Sequence, residues 1–308
     1  MDFNGPFCYD FTLNPLQSRD KPVRPSMGCE WYSLRSLMKK SFSILFVIIA
    51  SLAPSIAKAA THYVPERFKT IQEAVNAAMP YDTIIVNSGV FVENVMIEKP
   101  LILRSNMGPA STQIQAAIQN KPAIKISNAA DVSVTGLWAT GSTVAGVLVS
   151  NSTKVTLSNN QLTNNGNGIT LYGTSYSTVR GNISSSNAQY GLYMEKSGHN
   201  RIELNSATLN KDKGFFISYS DDNEIVNNSV NLNSWDGIMV FASHGNKITG
   251  NRTLRNTYGI VISESDGNEV AENTTIPNIF LIMPIVLIYF GIVSYLVQKN
   301  IFKIVYRE

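Results

Sequence analysis

The sequence has little charge and almost no cysteine. Charged residues make up 15% of the 308 residues, against roughly a quarter in an average soluble domain. The net charge is only +3, and the basic residues are scattered rather than gathered in a stripe, which excludes a nucleic-acid-binding surface. Cys8 and Cys29 both precede the first apolar run. The main body therefore holds neither a disulfide framework nor a cysteine-based metal site.

Asparagine supplies much of the polar content that charged residues do not. Of the 123 residues from 151 to 273, 21 are Asn, several times the share expected from an average composition. Many of them recur at a fixed spacing, in three columns that run in phase along the chain. The columns are Asn200, Asn223, Asn246 and Asn268; Asn160, Asn182, Asn205, Asn228, Asn251 and Asn273; and Asn165, Asn187, Asn210, Asn233 and Asn256.

Glycine follows the same period, and a short alternating apolar strand comes after each copy. The glycines, spaced 22 or 23 residues apart, are Gly146, Gly168, Gly191, Gly214, Gly237 and Gly259. This pattern predicts an all-β fold, a single-stranded right-handed parallel β-helix over residues 60–275, in which each period forms one coil and coils stack about 4.8 Å apart. An inward Asn can then bond to the Asn of the coils above and below, which avoids the cost of a lone buried amide.

Period-two alternation assigns the strand residues to two faces. The predicted inward residues are Leu192, Met194, Phe215, Ile217, Ile238, Val240, Ile260 and Ile262. The predicted outward residues are Tyr193, Phe216, Met239 and Val261.

One end of the stack has a predicted cap. Residues 70–78 form an amphipathic pattern opened by a Thr-x-x-Glu capping box, Thr70 to Glu73, and this predicts a helix that covers the first coil. The other end has no such element before the chain runs into an apolar segment.

Residues 38–59 have the parts of a secretory signal peptide. Lys39 and Lys40 precede an apolar stretch, and a small-x-small sequence predicts cleavage after Ala59. Residues 1–37 lack periodicity and are interpreted as a start-site artefact ahead of Met38. The alternative is a cytoplasmic tail on an uncleaved signal anchor.

The C-terminal segment, residues 276–298, reads as a transmembrane helix, because residues 279–297 carry no charge and about 20 apolar residues cross a bilayer. Residues 299–308 form a short basic tail with Lys299, Lys303 and Arg307. The positive-inside rule places this tail in the cytoplasm. The sequence therefore predicts an exported β-helix, anchored in the cytoplasmic membrane and held outside it.

Residues 68–103, FKTIQEAVNAAMPYDTIIVNSGVFVENVMIEKPLIL, resemble the entry motif of the NosD-like β-helix proteins, within the pectin-lyase-like superfamily. Tyr81 stands where that motif usually has Gly. The resemblance extends to about residue 275 and implies the β-helix fold. It also implies two kinds of function, because the founding family assists copper-site assembly in nitrous-oxide reductase and the superfamily contains carbohydrate-binding and sugar-hydrolase domains.

Two acidic residues and a histidine are the candidates for catalysis. Asp221 and Asp222, with His244 one coil later, resemble the paired aspartates and Ser/Gly-His-Gly of polygalacturonases, in which carboxylates act as acid and base. The Asn-x-Asp and Arg-x-Lys of those enzymes are missing at the matching distances. The pattern therefore favours polar turns, each placed before a ladder Asn, over an active site.

A metal site is a second hypothesis. His199 and His244 lie in similar turns two coils apart, with Asp222 between them, and histidine with carboxylate can ligate a divalent cation. Copper follows from the resemblance, and calcium from the acidic turns.

The third hypothesis is a ligand-binding strip on the outer face. Its residues are Tyr172, Tyr193, Phe216, Met239 and Phe241. Exposed apolar strips often mark binding sites, and aromatic rows can stack on sugar rings.

The leading interpretation is a non-catalytic, membrane-anchored surface module that binds envelope polysaccharide or a surface protein. The first alternative is a NosD-like accessory protein that matures the copper site of an exported metalloenzyme. The second is a polysaccharide hydrolase or lyase.

Overall fold

The computed structural model describes residues 59–299, and only the backbone of residues 279–282. The predicted start-site artefact and nearly all of the signal peptide and basic tail lie outside these residues.

The helices are α1 (Ile71–Ala77) and α2 (Ile279–Gln298). In chain order the strands are β1 (Thr61–Val64), β2 (Thr83–Val86), β3 (Gly89–Val92), β4 (Val95–Ile97), β5 (Ile102–Ser105), β6 (Thr112–Gln115), β7 (Ile124–Ser127), β8 (Ser133–Thr135), β9 (Trp138–Thr140), β10 (Ala145–Ser150), β11 (Thr156–Ser158), β12 (Gln161–Thr163), β13 (Asn167–Tyr172), β14 (Thr178–Arg180), β15 (Ile183–Ser185), β16 (Leu192–Glu195), β17 (Arg201–Glu203), β18 (Ser206–Thr208), β19 (Phe215–Ser218), β20 (Glu224–Val226), β21 (Ser229–Asn231), β22 (Asp236–Phe241), β23 (Lys247–Thr249), β24 (Arg252–Leu254), β25 (Tyr258–Ser263), β26 (Glu269–Ala271) and β27 (Thr274–Ile276).

These strands form three long parallel sheets. The first sheet runs β1-β2-β5-β8-β11-β14-β17-β20-β23-β26, the second β4-β7-β10-β13-β16-β19-β22-β25, and the third β3-β6-β9-β12-β15-β18-β21-β24-β27. Through the repeat, strand partners are 22 or 23 residues apart, as in Val147 with Ile169 and Leu192 with Phe215. Each coil thus gives one strand to each sheet, and the predicted parallel β-helix is confirmed.

The core is a set of inward columns, as the alternation predicts. Every predicted inward residue from Leu192 to Val240 is buried. In the last coil Ile260 is only partly buried and Ile262 is exposed. The reason is positional: β25 is the last strand of its sheet, and no further described coil covers it.

Helix α1 is the predicted N-terminal cap, and its capping box is present. The Glu73 N–H donates to Thr70 Oγ1 (3.1 Å), and the Thr70 N–H donates to the Glu73 carboxylate (3.3 Å). Glu93, one coil later, accepts from the N–H groups of Ile71 and Gln72 at 2.9 Å each. These bonds supply acceptors for four N–H groups at the start of the helix, and they fix the helix to the first coil.

The Asn columns form continuous hydrogen-bonded ladders, as predicted. Nδ2 of each member donates to Oδ1 of the next at 2.9–3.1 Å; Asn165 instead reaches Asn187 through its main-chain N–H. Asn228 shows the full pattern. Its Nδ2 donates to Ile202 O and Asn251 Oδ1, while its Oδ1 accepts from the main-chain and side-chain nitrogens of Asn205. All four hydrogen-bonding sites of the amide are filled.

The left-handed backbone of the bends lies one residue before each ladder Asn rather than on it. Its φ angles are near +55°, and the residues at this position include some that rarely adopt it, such as Leu204, Leu209 and Leu232 (φ 56°, 58° and 58°). In this left-handed conformation a residue with a Cβ is destabilised by roughly 1–2 kcal/mol, and Asn is destabilised by less. Asn tolerates this backbone better than most residues, but the ladder Asn themselves have no positive φ.

We expect Leu209→Asn and Leu232→Asn to stabilise the protein by about 1 kcal/mol each. Both side chains are exposed, so little packing is lost. The midpoint of urea unfolding, followed by circular dichroism, measures the change. Ile183→Asn is the control, because Ile183 is also exposed but has an ordinary strand backbone. An equal or greater gain in the control would contradict the backbone explanation.

The repeat glycines sit where a side chain has no room. A Cβ on Gly214 would lie 2.0 Å from Val230 Cγ1 and 2.7 Å from Gly237 O, and one on Gly237 would lie 2.6 Å from Gly259 O. Neither has a positive φ. The glycine column is therefore required by close packing between coils rather than by an unusual turn.

Helix α2 forms where the sequence predicts a helix, but the predicted crossing of a membrane is not supported. No helix in the part of the chain described with its side chains is long and apolar enough to span one.

Candidate functional site

The outer face of the second sheet brings part of the predicted strip together. Tyr193, Phe216 and Met239 occupy one register column in β16, β19 and β22. Tyr172 and Phe241 belong to the neighbouring column, where Glu195 and Ser218 separate them. The five predicted residues therefore do not form one unbroken strip.

Three rings form a compact group, the aromatic cluster of Tyr190, Tyr193 and Phe216. Their ring centroids are 5.4–5.5 Å apart in all three pairs. Tyr193 and Phe216 stack with 26° between their planes, because successive coils place them one above the other. Each ring covers part of the next, so the cluster is half-buried rather than fully exposed.

A lysine between two carboxylates lies against this cluster. Lys213 Nζ is 5.8 Å from the ring centre of Tyr190 and 5.5 Å from that of Phe216. The same nitrogen is 2.9 Å from Asp212 Oδ1 and 3.9 Å from Asp236 Oδ2. Burial raises the pKa of Asp236; Lys213 opposes the shift and Asp212 adds to it. The positive charge of Lys213 is thus offset within the site.

The tyrosines of the cluster remain hydrogen-bond donors well above neutral pH. Tyr193 Oη donates to Glu195 Oε2 at 2.8 Å. Burial, followed by this bond and the charge of Glu195, raises the pKa of the Tyr193 phenol above its ordinary value. Burial and then the charge of Asp212 raise the pKa of Tyr190.

Two exposed aromatic side chains lie on the two coils that follow Lys213, where β22 and β25 begin. Trp235 is 56% exposed and Tyr258 is 55% exposed. Tyr258 is the register partner of Asp236, and the Thr257 N–H donates to Trp235 O at 2.8 Å. We call this surface the binding edge; its residues are Tyr190, Tyr193, Glu195, Asp212, Lys213, Phe216, Trp235, Asp236 and Tyr258.

Of the binding edge, only Tyr193 and Phe216 are among the residues predicted from the sequence. Its column of Tyr190, Lys213, Asp236 and Tyr258 could have been found, because each residue immediately precedes a repeat glycine. The 22- or 23-residue period alone places them in line. Asp212 and Trp235 each stand one residue before a member of this column, so the same period aligns them with each other.

The outer face continues toward the N-terminal end as a groove. Met96 and Lys125 are register partners in β4 and β7, on the same outward column as Tyr193. They line a depression of about 660 Å³ together with Ile118, Val144 and their neighbours. The face thus offers an elongated surface along the stack rather than one closed pocket.

The candidate catalytic and metal residues lie on a different edge, in exposed turns. The His244 N–H donates to Asp221 Oδ1 (2.7 Å), and His244 Nδ1 accepts from the Asp266 N–H (3.0 Å). The His199 ring stacks on Tyr176 at 5.1 Å. Asp222 has φ 56° and occupies the left-handed bend before Asn223. The side-chain contacts of Asp221 and His244 join one turn to the next.

These residues do not fit a copper site. His199 and His244 are two coils apart, about 10 Å between backbones, and Met194 is buried in the core. Among the described residues, no group of three or more His, Cys, Asp or Glu side chains is placed to hold a metal ion. Copper and calcium stay predictions from the sequence.

The three parallel sheets and the ladders define a β-solenoid with an elongated outer face. A family model described as a right-handed β-helix region matches residues 122–275, half of the chain, and the protein belongs to that family. The right-handed β-helix is thereby confirmed, while the narrower likeness to NosD-like proteins stays a prediction. No curated protein matches the chain in sequence.

Several solved structures share the fold. A pectate lyase is 15% identical over 71% of this chain and 80% of its own, with a TM-score of 0.53. A periplasmic alginate epimerase is 12% identical over 70% of this chain and 55% of its own, with a TM-score of 0.52. The ORF18 protein of Geobacillus virus E2 is 13% identical over 67% of this chain and 57% of its own, with a TM-score of 0.50. This chain spans little more than half the length of the epimerase and of the ORF18 protein. These likenesses show the fold alone.

Proposed function

We propose that the protein is a non-catalytic module that binds polysaccharide along the outer face of its second sheet. The observation that carries this proposal is the binding edge, where exposed aromatic rings stand beside carboxylates and tyrosine hydroxyls. Sugar rings present both apolar C–H faces and hydroxyl groups. A surface that mixes aromatic faces with hydrogen-bonding groups complements both.

The two exposed rings are the main stacking surfaces. Tyr193 and Phe216 stack on each other, so their faces are partly occupied within the cluster. Trp235 and Tyr258 lie farther out and are more than half exposed. A glycan would contact these two rings and hydrogen-bond to Asp212 and Glu195.

The charge balance favours a neutral glycan. The ammonium of Lys213 lies beside the carboxylates of Asp212 and Asp236, and Glu195 lies beside Lys196. An acidic polymer would bring further carboxylates to a surface where Lys213 and Lys196 already lie beside carboxylates. The pectate lyase and the alginate epimerase share the fold, and the charge of this edge supports a different class of glycan.

The exported location predicted from residues 38–59 supports an envelope polysaccharide as the ligand. The hydrolase or lyase alternative is less favoured, because Asp221 and His244 contact neighbouring turns and lie away from the aromatic surface.

Binding of the full-length protein to an array of neutral and acidic glycans tests the proposal. We expect a neutral polysaccharide to bind without being cleaved. The double variant Trp235→Ala, Tyr258→Ala should weaken that binding by about tenfold or more, since each lost aromatic contact is worth roughly 1 kcal/mol.

Tyr176→Ala is the matched control. Tyr176 is 63% exposed but lies on the other edge, against His199. Equal losses in the control and the double variant would argue against the binding edge. Failure of every glycan to bind, or release of shortened chains from the bound glycan, would overturn the proposed function.

A further inference from the structure

The C-terminal end of the solenoid presents three unpaired strand edges. Strands β25, β26 and β27 are each the last in their sheet, and within the described part of the chain no strand pairs with their outer edges. Such edges expose main-chain N–H and C=O groups that can pair with an added strand. At the opposite end, helix α1 contacts the first coil.

At this open end, side chains that continue the core columns are exposed. Val240 and Ile248 are fully buried, and their partners one coil later, Ile262 and Val270, are 36% and 46% exposed. These two residues continue inward columns, so they are core positions without a covering layer. Burying their apolar surface would favour association.

The last coil is acidic and has neither lysine nor, within its strands, proline. Residues 257–278 contain Glu264, Asp266, Glu269 and Glu272 but no Lys or Arg. Lysine and proline are the residues that commonly block strand addition, and the one proline, Pro277, follows β27. Of the four carboxylates, Glu269 alone has a cationic partner among the described residues, Lys247 at 3.7 Å.

From these features we infer that the C-terminal coil is a docking surface for an extended, basic segment of a partner protein. Main-chain bonds to β25 and β26 would satisfy the open edges, and apolar side chains on one face of the segment would cover Ile262 and Val270. Lysine or arginine on its other positions would offset the unpaired carboxylates. This surface is at the end of the stack and does not depend on the polysaccharide proposed for the lateral face.

A second copy of the chain is a poorer occupant. Two C-terminal ends placed together would bring the same four carboxylates on each side into proximity, and like charges disfavour such a pair. The N-terminal end is covered by α1, so head-to-tail stacking meets a helix instead of a strand edge.

Three octapeptides with a fluorescent label test the inference on the full-length protein. One alternates Val and Lys, one alternates Val and Glu, and one alternates Pro and Lys. The third has the charge of the first but few main-chain N–H donors. We expect the Val-Lys peptide to bind at least about tenfold more tightly than either of the others, and to slow hydrogen exchange in β25 and β26.

A charge-reversal variant locates the site. Glu264→Lys, Asp266→Lys and Glu272→Lys together should weaken binding of the Val-Lys peptide by about tenfold or more. Glu98→Lys with Asp131→Lys, exposed positions near the other end, should leave it unchanged. Circular dichroism confirms that each variant is folded.

Three results would overturn the inference. Equal binding of the Val-Lys and Pro-Lys peptides would show charge attraction without strand addition. Equal loss in both charge-reversal variants would remove the C-terminal coil as the site. A dimer detected by light scattering, and abolished by Val270→Lys, would assign the surface to a second copy.

Discussion

Replacing Asn228 by leucine is expected to reduce the free energy of unfolding by about 4 kcal/mol or more, since each buried polar group left without a partner costs roughly 1–3 kcal/mol. The substitution removes the acceptor of the main-chain and side-chain N–H groups of Asn205. It also removes a donor to Ile202 O and to Asn251 Oδ1. Leucine fills a similar space but replaces none of these bonds. The midpoint of urea unfolding, or the soluble yield if the variant fails to fold, measures the effect.

The neighbouring residue gives a matched control. Asn227 is exposed and occupies a left-handed bend with φ 55°, and its counterpart one coil earlier is already a leucine, Leu204, with φ 56°. Asn227→Leu is therefore expected to change stability by about 1 kcal/mol at most. If the two variants lost similar stability, the ladder would not be the source of the effect.

Gly214→Ala is expected to destabilise the protein by about 3 kcal/mol, the upper range for an overpacked core. The added methyl would approach Val230 Cγ1 to 2.0 Å, and Gly237 O and Asn233 Nδ2 to 2.7 and 2.8 Å. Val230 belongs to the core, and the other two atoms belong to the main chain and to a ladder. Relief of the contact would therefore have to separate adjacent coils.

The control for this variant is Gly291→Ala in α2, where a Cβ would meet nothing within 4 Å. Alanine also favours a helix over glycine by up to about 1 kcal/mol, so no loss of stability is expected. Thermal unfolding of the two variants side by side measures the difference. A Gly214→Ala protein with the parental midpoint would show that the coils can adjust.

The fold could be predicted from sequence because every coil must meet the same packing requirements, so the same residue pattern recurs many times. The Asn columns, the glycine column and the alternation of Leu192 and Met194 each recur at the coil period, and all three proved correct. The burial of Ile260 and Ile262 was less accurately predicted than their face, since burial in a stack requires a coil on both sides. That condition depends on position in the array and not on local pattern.

The binding edge was harder to predict because its residues differ from coil to coil. Tyr190, Lys213, Asp236 and Tyr258 share a column but no residue type, so the period alone marks their alignment. Their interactions depend on side-chain direction, as in the distance from Lys213 to Asp212 and Asp236. The exposed turns that hold Asp221 and His244 were candidates for catalysis instead, because their residue types resemble those of an active site.

The ladders also give the stack a direction. Within a ladder, each Oδ1 accepts from the Asn of the preceding coil and the Nδ2 of that earlier Asn points toward the C-terminal coil, while Nδ2 also donates to a main-chain carbonyl of the preceding coil. The amide oxygens of a column therefore point the same way. Rotating one amide by half a turn would set two oxygens against each other on one side and two NH₂ groups on the other. Each Asn therefore fixes the orientation of its neighbours, and the column changes orientation as a whole or not at all.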